Sequence, residues 1–225
     1  MTAPRPSAVL FDAVGTLLMP DPPVGEVYAH YGRRYGSRLS EAEVTRRFRR
    51  AFKREDERDR TRFGWRTDER RERRRWCSIV RAVFDDAWLG DALFARLWRH
   101  FAEPDNWRLA PGAVEAIELV RSHGLPWALA SNFDTRLLRI VRAMPELASA
   151  KQVFVSSAVG WRKPSPKFFA TIERELALEP HRLLLVGDDL VNDFQAAQAA
   201  GWQAMLVDPG KRLAGLAGLL SPASS

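Results

Sequence analysis

The first structured stretch of the chain is a short, wholly apolar run, Ala8-Val9-Leu10-Phe11, that stops at Asp12. A strand buried on both faces of a parallel sheet reads this way, continuous rather than alternating. From Val24 to about Glu103 the period becomes helical. Val24, Val27, Tyr28 and Tyr31 recur at helical spacing. Trp76, Ile79, Val80, Val83 and Phe84 form a second stripe, and Leu93, Phe94, Leu97, Trp98 and Phe101 a third. Stripes of this kind point to core rather than to a substrate box. Ser40 stands three residues before Glu43, a capping box that predicts a helix over about 41–57. No strand is evident in this block, so it predicts an antiparallel helical bundle.

After Pro111 helices and strands alternate. The pattern predicts a helix over 113–123 closed by Gly124, a strand over 127–130, a helix over 135–144 and a strand over 153–155. A helix over 166–176, a strand over 183–186, a helix over 193–200 ended by Gly201, and a strand over 204–207 follow. With the first run this makes five strands joined by helical crossovers. The expected fold class is therefore α/β, a Rossmann-like doubly wound parallel sheet. Its core comprises residues 1–19 and 106–225, with a helical cap inserted at 20–105. The Ala/Gly/Leu run at 213–220 predicts a short helix, and the small polar residues 221–225 a frayed end.

Composition narrows the function classes. A chain of 225 residues suits one α/β domain with a modest insertion. No apolar stretch approaches a membrane span and no signal-peptide pattern follows the N-terminus, so a cytoplasmic protein without a membrane partner is expected. The single cysteine, Cys77, excludes an intrachain disulfide. The net charge of +7 is unevenly spread: residues 46–75 hold 15 basic and 7 acidic side chains, leaving the remainder near neutral. Few apolar anchors lie in 53–75, which is expected to be a solvated and partly mobile face. Only Phe63 and Trp65 interleave with the arginines there, so a nucleic-acid partner is not expected. The four histidines show no metal-ligand spacing.

Three strands end in polar residues: the first at Asp12, the second at Ser131-Asn132, the fourth at Gly187-Asp188-Asp189. In an open parallel sheet the carboxyl ends of the strands border one crevice, so Asp12, Ser131, Asp188 and the nearby Asp193 should converge. Singly, each could be a turn or helix cap; the joint pattern is what points to a site. Lys163 is one of five lysines in a chain with thirty arginines, which suggests a need for a compact point charge.

These segments resemble the four motifs of the haloacid-dehalogenase-like (HAD) hydrolases. Phe11-Asp12-Ala13-Val14-Gly15-Thr16-Leu17 is similar to the first, Ala130-Ser131-Asn132 to the second, Gly160-Trp161-Arg162-Lys163-Pro164 to the third, and 187–193 to the fourth. The resemblance implies Asp12 as nucleophile and Lys163 as the group steadying nucleophile and phosphate. It implies Ser131 as a phosphoryl ligand, with Asn132 positioning substrate or loop backbone. It further implies Mg2+ held by Asp12, the backbone carbonyl of Val14 and Asp188, with Asp193 acting through water. A carboxylate nucleophile splits one hard displacement into two easier ones, and a hard cation on oxygen ligands relieves the crowded negative charge.

The chain departs from the family at Val14. Most HAD phosphatases carry there a second Asp that protonates the leaving oxygen and then activates water. Its loss bears on a contribution typically worth about 10²–10⁴ in rate. Three outcomes stay open. One is a Mg-dependent phosphatase of a small phosphorylated metabolite, with a good leaving group or with its acid supplied by Asp21 or a cap residue. The second is a metal-independent 2-haloacid dehalogenase, whose halide needs no proton. The third is a catalytically impaired protein that binds phosphorylated ligands or nucleic acid. The intact fourth motif, absent from haloacid dehalogenases, favours the first. Either a monomer or a homodimer is compatible with the sequence.

Overall fold

The computed structural model describes residues 4–86, 90–207 and 215–220. Five strands form one parallel sheet: β1 (Ala8–Phe11), β4 (Trp127–Ser131), β5 (Val153–Val155), β6 (Leu183–Gly187) and β7 (Gln203–Leu206). Their spatial order is β5-β4-β1-β6-β7, with β1 at the centre. The chain leaves β1, builds outward through β4 and β5 on one side, then crosses to build β6 and β7 on the other. That reversal opens a crevice beyond the carboxyl ends of β1, β4 and β6.

Both faces of the sheet are covered, which is why its strands are unbroken apolar runs. Val9 and Phe11 pack with α5 (Ala113–Ser122), α6 (Arg136–Ala143) and α10 (Leu216–Leu220) on one face. Ala8 and Leu10 pack with α8 (Pro166–Leu176) and α9 (Ala196–Ala199) on the other. A four-residue helix, α7 (Ser156–Val159), follows β5 directly. The expected α/β class, the five strands and the terminal helix are all present. The helix expected over 193–200 begins earlier, as a π-helical turn over Leu190–Gln195 in which the Phe194 amide donates to the Asp189 carbonyl at 3.1 Å.

Between β1 and α5 lies the cap: α1 (Val24–Arg34), α2 (Glu41–Phe63), α3 (Glu69–Val83) and α4 (Gly90–His100). These helices bury a core of their own around Tyr28, Val44, Ile79, Val83, Leu93 and Leu97. Ser40 caps α2 as its spacing predicts, accepting from the Glu43 amide at 3.3 Å. The chain enters and leaves the cap through a short antiparallel ribbon, β2 (Leu18–Pro20) against β3 (Trp107–Leu109). Hydrophobic periodicity did not reveal this pair; three-residue strands are too short to show a period.

The basic segment corrects an expectation. Instead of stopping near 57, α2 runs to Phe63 and ends on Gly64 in the left-handed conformation. The solvated face is present in the exposed Arg54, Arg60, Arg62, Arg70, Arg73 and Arg74, but the α2–α3 interface behind it is a buried ionic lattice. Arg71 donates to Glu55 at 3.0 Å and to Asp59 at 2.5 Å. Arg75 donates to Asp59 at 2.8 Å and also bonds Asp56. From the core, Arg162 reaches into the same lattice and pairs with Glu72 and Asp59. Glu55, Asp56 and Asp59 of α2 are therefore anchors made of charge rather than hydrocarbon. Among the described residues no helix is long and apolar enough to cross a membrane.

Candidate active site

Asp12 begins the loop after β1 at the centre of the sheet and is only 7% exposed. Its amide donates to the Val186 carbonyl at 2.8 Å, which carries the sheet one residue past the strand and sets the side chain at the crevice. The loop turns at Gly15, whose φ of 96° suits glycine, and where a Cβ would lie 2.2 Å from Asp188 Oδ2. Gly187 meets a similar demand at the end of β6: a Cβ there would lie 2.3 Å from Asp193 Oδ2. Both glycines make room for carboxylates.

The carboxylates of Asp12, Asp188 and Asp193 converge with ligand oxygens all within 4.8 Å of one another. Lys163 is buried among them. Its ammonium donates to Asp12 Oδ1 at 2.8 Å, to the Ala130 carbonyl at 2.8 Å and to Asp193 Oδ1 at 2.5 Å. Asn132 clamps the loop that carries this lysine: its side-chain oxygen accepts from the Lys163 amide at 2.8 Å, and its nitrogen donates to the Lys163 carbonyl at 2.9 Å. Ser131 ends β4, buried, in register with Val155. Asp188 is exposed and accepts from the Thr16 hydroxyl at 3.1 Å. Asp189 instead caps the π-helical turn, accepting from the amides of Val191 and Asn192 at 2.8 and 2.9 Å, and its own amide donates to Asp193.

The electrostatics follow from this count of charges. Burial pushes the Asp12 carboxyl up to about 7; Lys163 pulls it down, while Asp193 and Asp188 push it up again. Burial alone would lower Lys163, but Asp12 and Asp193 outweigh it and hold the ammonium above its ordinary range. Burial also raises Asp188, with Asp193 adding to the shift. One ammonium among three carboxylates leaves an excess of negative charge in a low-dielectric crevice. An oxygen-only donor set with uncompensated charge suits a hard divalent cation.

Every residue expected from the motifs thus lies at the carboxyl edge of the sheet: Asp12, Ser131, Asn132, Lys163, Asp188 and Asp193. Val14 lies two residues beyond Asp12, half-buried, and its side chain faces a cavity under the cap. Asp21, considered as an alternative acid, is at the surface, where its carboxylate stands 3.8 Å from Arg108. Two contributors were not singled out from sequence. Thr16, which fixes Asp188, was legible in principle because it lies inside the first motif. Arg136 was not: it donates to Asp134 twice at 2.7 Å and to the Trp98 carbonyl at 3.2 Å, and its guanidinium lies 3.5 Å above the Trp98 ring. Only folding brings that cap residue to α6.

The cavity holds about 240 Å³ between the cap helices and the crevice. Tyr28, Phe48, Trp76, Trp98, Phe101 and Phe133 supply much of its wall. The stripes expected to be simple core therefore do two jobs. Tyr28 and Leu97 are buried core, whereas Phe48, Trp76, Trp98 and Phe101 stay half-buried because one side of each ring borders the cavity.

Fold and site together define a class: a doubly wound α/β core whose carboxylates converge at the carboxyl edge of the sheet, with a helical cap inserted after β1. The family model for haloacid dehalogenase-like hydrolases matches residues 6–201, and the chain belongs to that family. The human haloacid dehalogenase-like hydrolase domain-containing protein 3 is 30% identical over 202 residues, covering 88% of this chain and 80% of its own length. The HAD-hydrolase YfnB from Bacillus subtilis bound to magnesium superposes with a TM-score of 0.73 at 18% identity, covering 96% of this chain and 99% of that one. The L-2-haloacid dehalogenase from Xanthobacter autotrophicus with chloropropionic acid covalently bound superposes at 0.63 with 21% identity, covering 96% and 85%.

Proposed function

We propose that this hydrolase is a magnesium-dependent phosphatase that cleaves small phosphorylated metabolites through a phosphorylated Asp12. The observation that carries the proposal is the convergence of Asp12, Asp188 and Asp193 around the Lys163 ammonium. Asp12, the Val14 carbonyl and Asp188 would hold Mg2+ directly, and Asp193, whose oxygens already accept from Lys163 and the Asp189 amide, would act in support. The ion supplies charge neutralisation and a fixed orientation for the phosphoryl oxygens. Asp12 is placed to attack. Ser131 and Lys163 would hold the transferred oxygens, and Asn132 keeps the Lys163 loop at the right distance. The cap, which we place at 20–105 with the core at 1–19 and 106–225, would exclude bulk water and favour a small substrate. A cytoplasmic protein, monomeric or a homodimer, fits this role.

Release of inorganic phosphate from a metabolite panel tests the proposal. Release should require Mg2+, stop on chelation, and vanish in Asp12→Asn while that variant still folds. Turnover that survives Asp12→Asn would sink it. A second reading has one observation in its favour: Val14 cannot transfer a proton and faces an apolar cavity, as suits a halide leaving group. Halide release from a 2-haloacid without metal would establish that dehalogenase reading instead. A binding role for the basic segment has less support: Arg71 and Arg75 are consumed inside the cap, and its exposed arginines lie outside the lining of the cavity.

A further inference from the structure

Two features near Asp12 have independent origins and the same consequence. The first is the cavity. Its volume of about 240 Å³ exceeds the roughly 150 Å³ of an apolar cavity known to take benzene. Phe48 and Trp76 stack with ring planes 24° apart, and Trp98 and Phe101 complete the aromatic wall. At the crevice end Val14 and Asn132 form the lining; Val14 belongs to the loop that carries Asp12, and Asn132 holds the Lys163 backbone. Arg136, the cation among the lining residues, is spent on Asp134 and on the Trp98 carbonyl. A sugar or polyol body would bring several hydroxyls to walls that offer few partners, at a cost of about 1–3 kcal/mol for each one left unpaired.

The second feature is Val14, which provides no acid beside the leaving oxygen. An alkoxide leaving unprotonated is a strong base, with a conjugate acid about as weak as water. A phenolate has one near 10, as in tyrosine, and leaves without help.

We infer that the cavity takes the aromatic body of an aryl phosphate monoester, and that Val14 is tolerated because a phenolate leaves without a proton donor. The inference rests on the phosphatase proposal and names its substrate class. Asp12 attacks phosphorus, and the bond from phosphorus to the aryl oxygen breaks. Its electron pair departs on oxygen as phenolate, which afterwards takes a proton from water. Water then attacks the phosphorus on Asp12, the bond to the carboxyl oxygen breaks, and Asp12 returns as carboxylate. One proton of that water stays on the phosphate, and the other neutralises the hydroxide left when phenolate took its proton.

The test compares 1-naphthyl phosphate, cyclohexyl phosphate and glycerol 3-phosphate, with phosphate release measured in Mg2+ on the full chain. The naphthyl ester should exceed both others in kcat/KM by at least about 100-fold, the lower range of a missing general acid. Cyclohexyl phosphate isolates the leaving group, since its body is apolar. Calorimetry of 1-naphthyl phosphate with Asp12→Asn reads binding apart from turnover, and Phe48→Ala in the same background should weaken it about tenfold. Equal or better hydrolysis of glycerol 3-phosphate overturns the inference and leaves the phosphatase proposal standing. Absence of naphthyl phosphate binding to Asp12→Asn also overturns it. Saturable, Phe48-dependent binding with no turnover of any ester supports the aryl cavity and sinks the phosphatase proposal.

Discussion

Val14 stands where one side chain would redirect the chemistry proposed for the site. It borders the cavity two residues from Asp12, where a carboxyl group would serve as acid and base. Val14→Asp should therefore raise hydrolysis of alkyl phosphates by about 10²-fold while changing aryl esters much less, since general acid help matters most for poor leaving groups. Parallel kcat/KM measurements on cyclohexyl and naphthyl phosphate check this; a uniform change would show that Val14 acts through packing alone. The glycines are equally specific. Gly187→Ala would set a methyl 2.3 Å from Asp193 Oδ2 and must displace that carboxylate from Lys163. The expected result is at least about tenfold weaker Mg2+ binding by calorimetry, the scale seen when groups supporting metal ligands are disturbed. Unchanged affinity would show that Asp193 contributes nothing to the ion.

At the scale of elements, α2 and α3 are held by ions as well as by hydrocarbon. The lattice of Arg71, Arg75 and Arg162 with Glu55, Asp56, Asp59 and Glu72 also ties the cap to the loop just before Lys163. Backbone bonds reinforce it: the Arg162 amide donates to Trp65 at 2.9 Å, and the Thr67 amide to Gly160 at 3.1 Å. Glu72→Gln leaves the Arg162 guanidinium short of charge in a buried place, and should cost about 3–5 kcal/mol in urea unfolding. Joint replacement of Glu72 and Arg162 by apolar residues should cost far less. The acid limb of stability follows from the same contact. Burial would raise Glu72, but Arg162 and Arg75 outweigh it and hold it below the ordinary carboxylate range. Its contribution is then present above the unfolded-state value near 4.3 and is lost as pH falls through the lower folded value. Wild type should lose stability more steeply than Glu72→Gln below about pH 4. Equal slopes in acid titration would show that Glu72 is not the group responsible.

For the whole molecule, the cation is expected to act as a stabiliser as well as a participant in chemistry. The crevice holds three carboxylates against one ammonium, and an ion bound only by the folded chain adds about 2.7 kcal/mol at a hundred times its Kd. Mg2+ should raise Tm, chelation should reverse the rise, and Asp188→Asn should remove most of it; an equal rise in that variant would place the ion elsewhere. Much of this architecture was legible without coordinates. Buried parallel strands must be continuous apolar runs, so Ala8–Phe11 and Leu183–Gly187 declared themselves. Polar residues at their ends could belong only to the crevice edge. The short ribbon Leu18–Pro20 with Trp107–Leu109 stayed hidden because partners about ninety residues apart leave no local trace. The basic segment was legible only in part, for a related reason: its solvated arginines were expected, but sequence records charge and not where the counter-charge lies. Asp59 meets Arg71 and Arg75 only once two helices pack, and Glu72 meets Arg162 only across ninety residues. The cavity is of the same kind, since helical spacing says which aromatics share a face but not whether another wall arrives to fill the space. Local pattern thus determined the elements and the position of Asp12, both written in neighbouring residues. Long-range packing decided which arginines were structural and which rings line a cavity, because those depend on partners that only folding brings together.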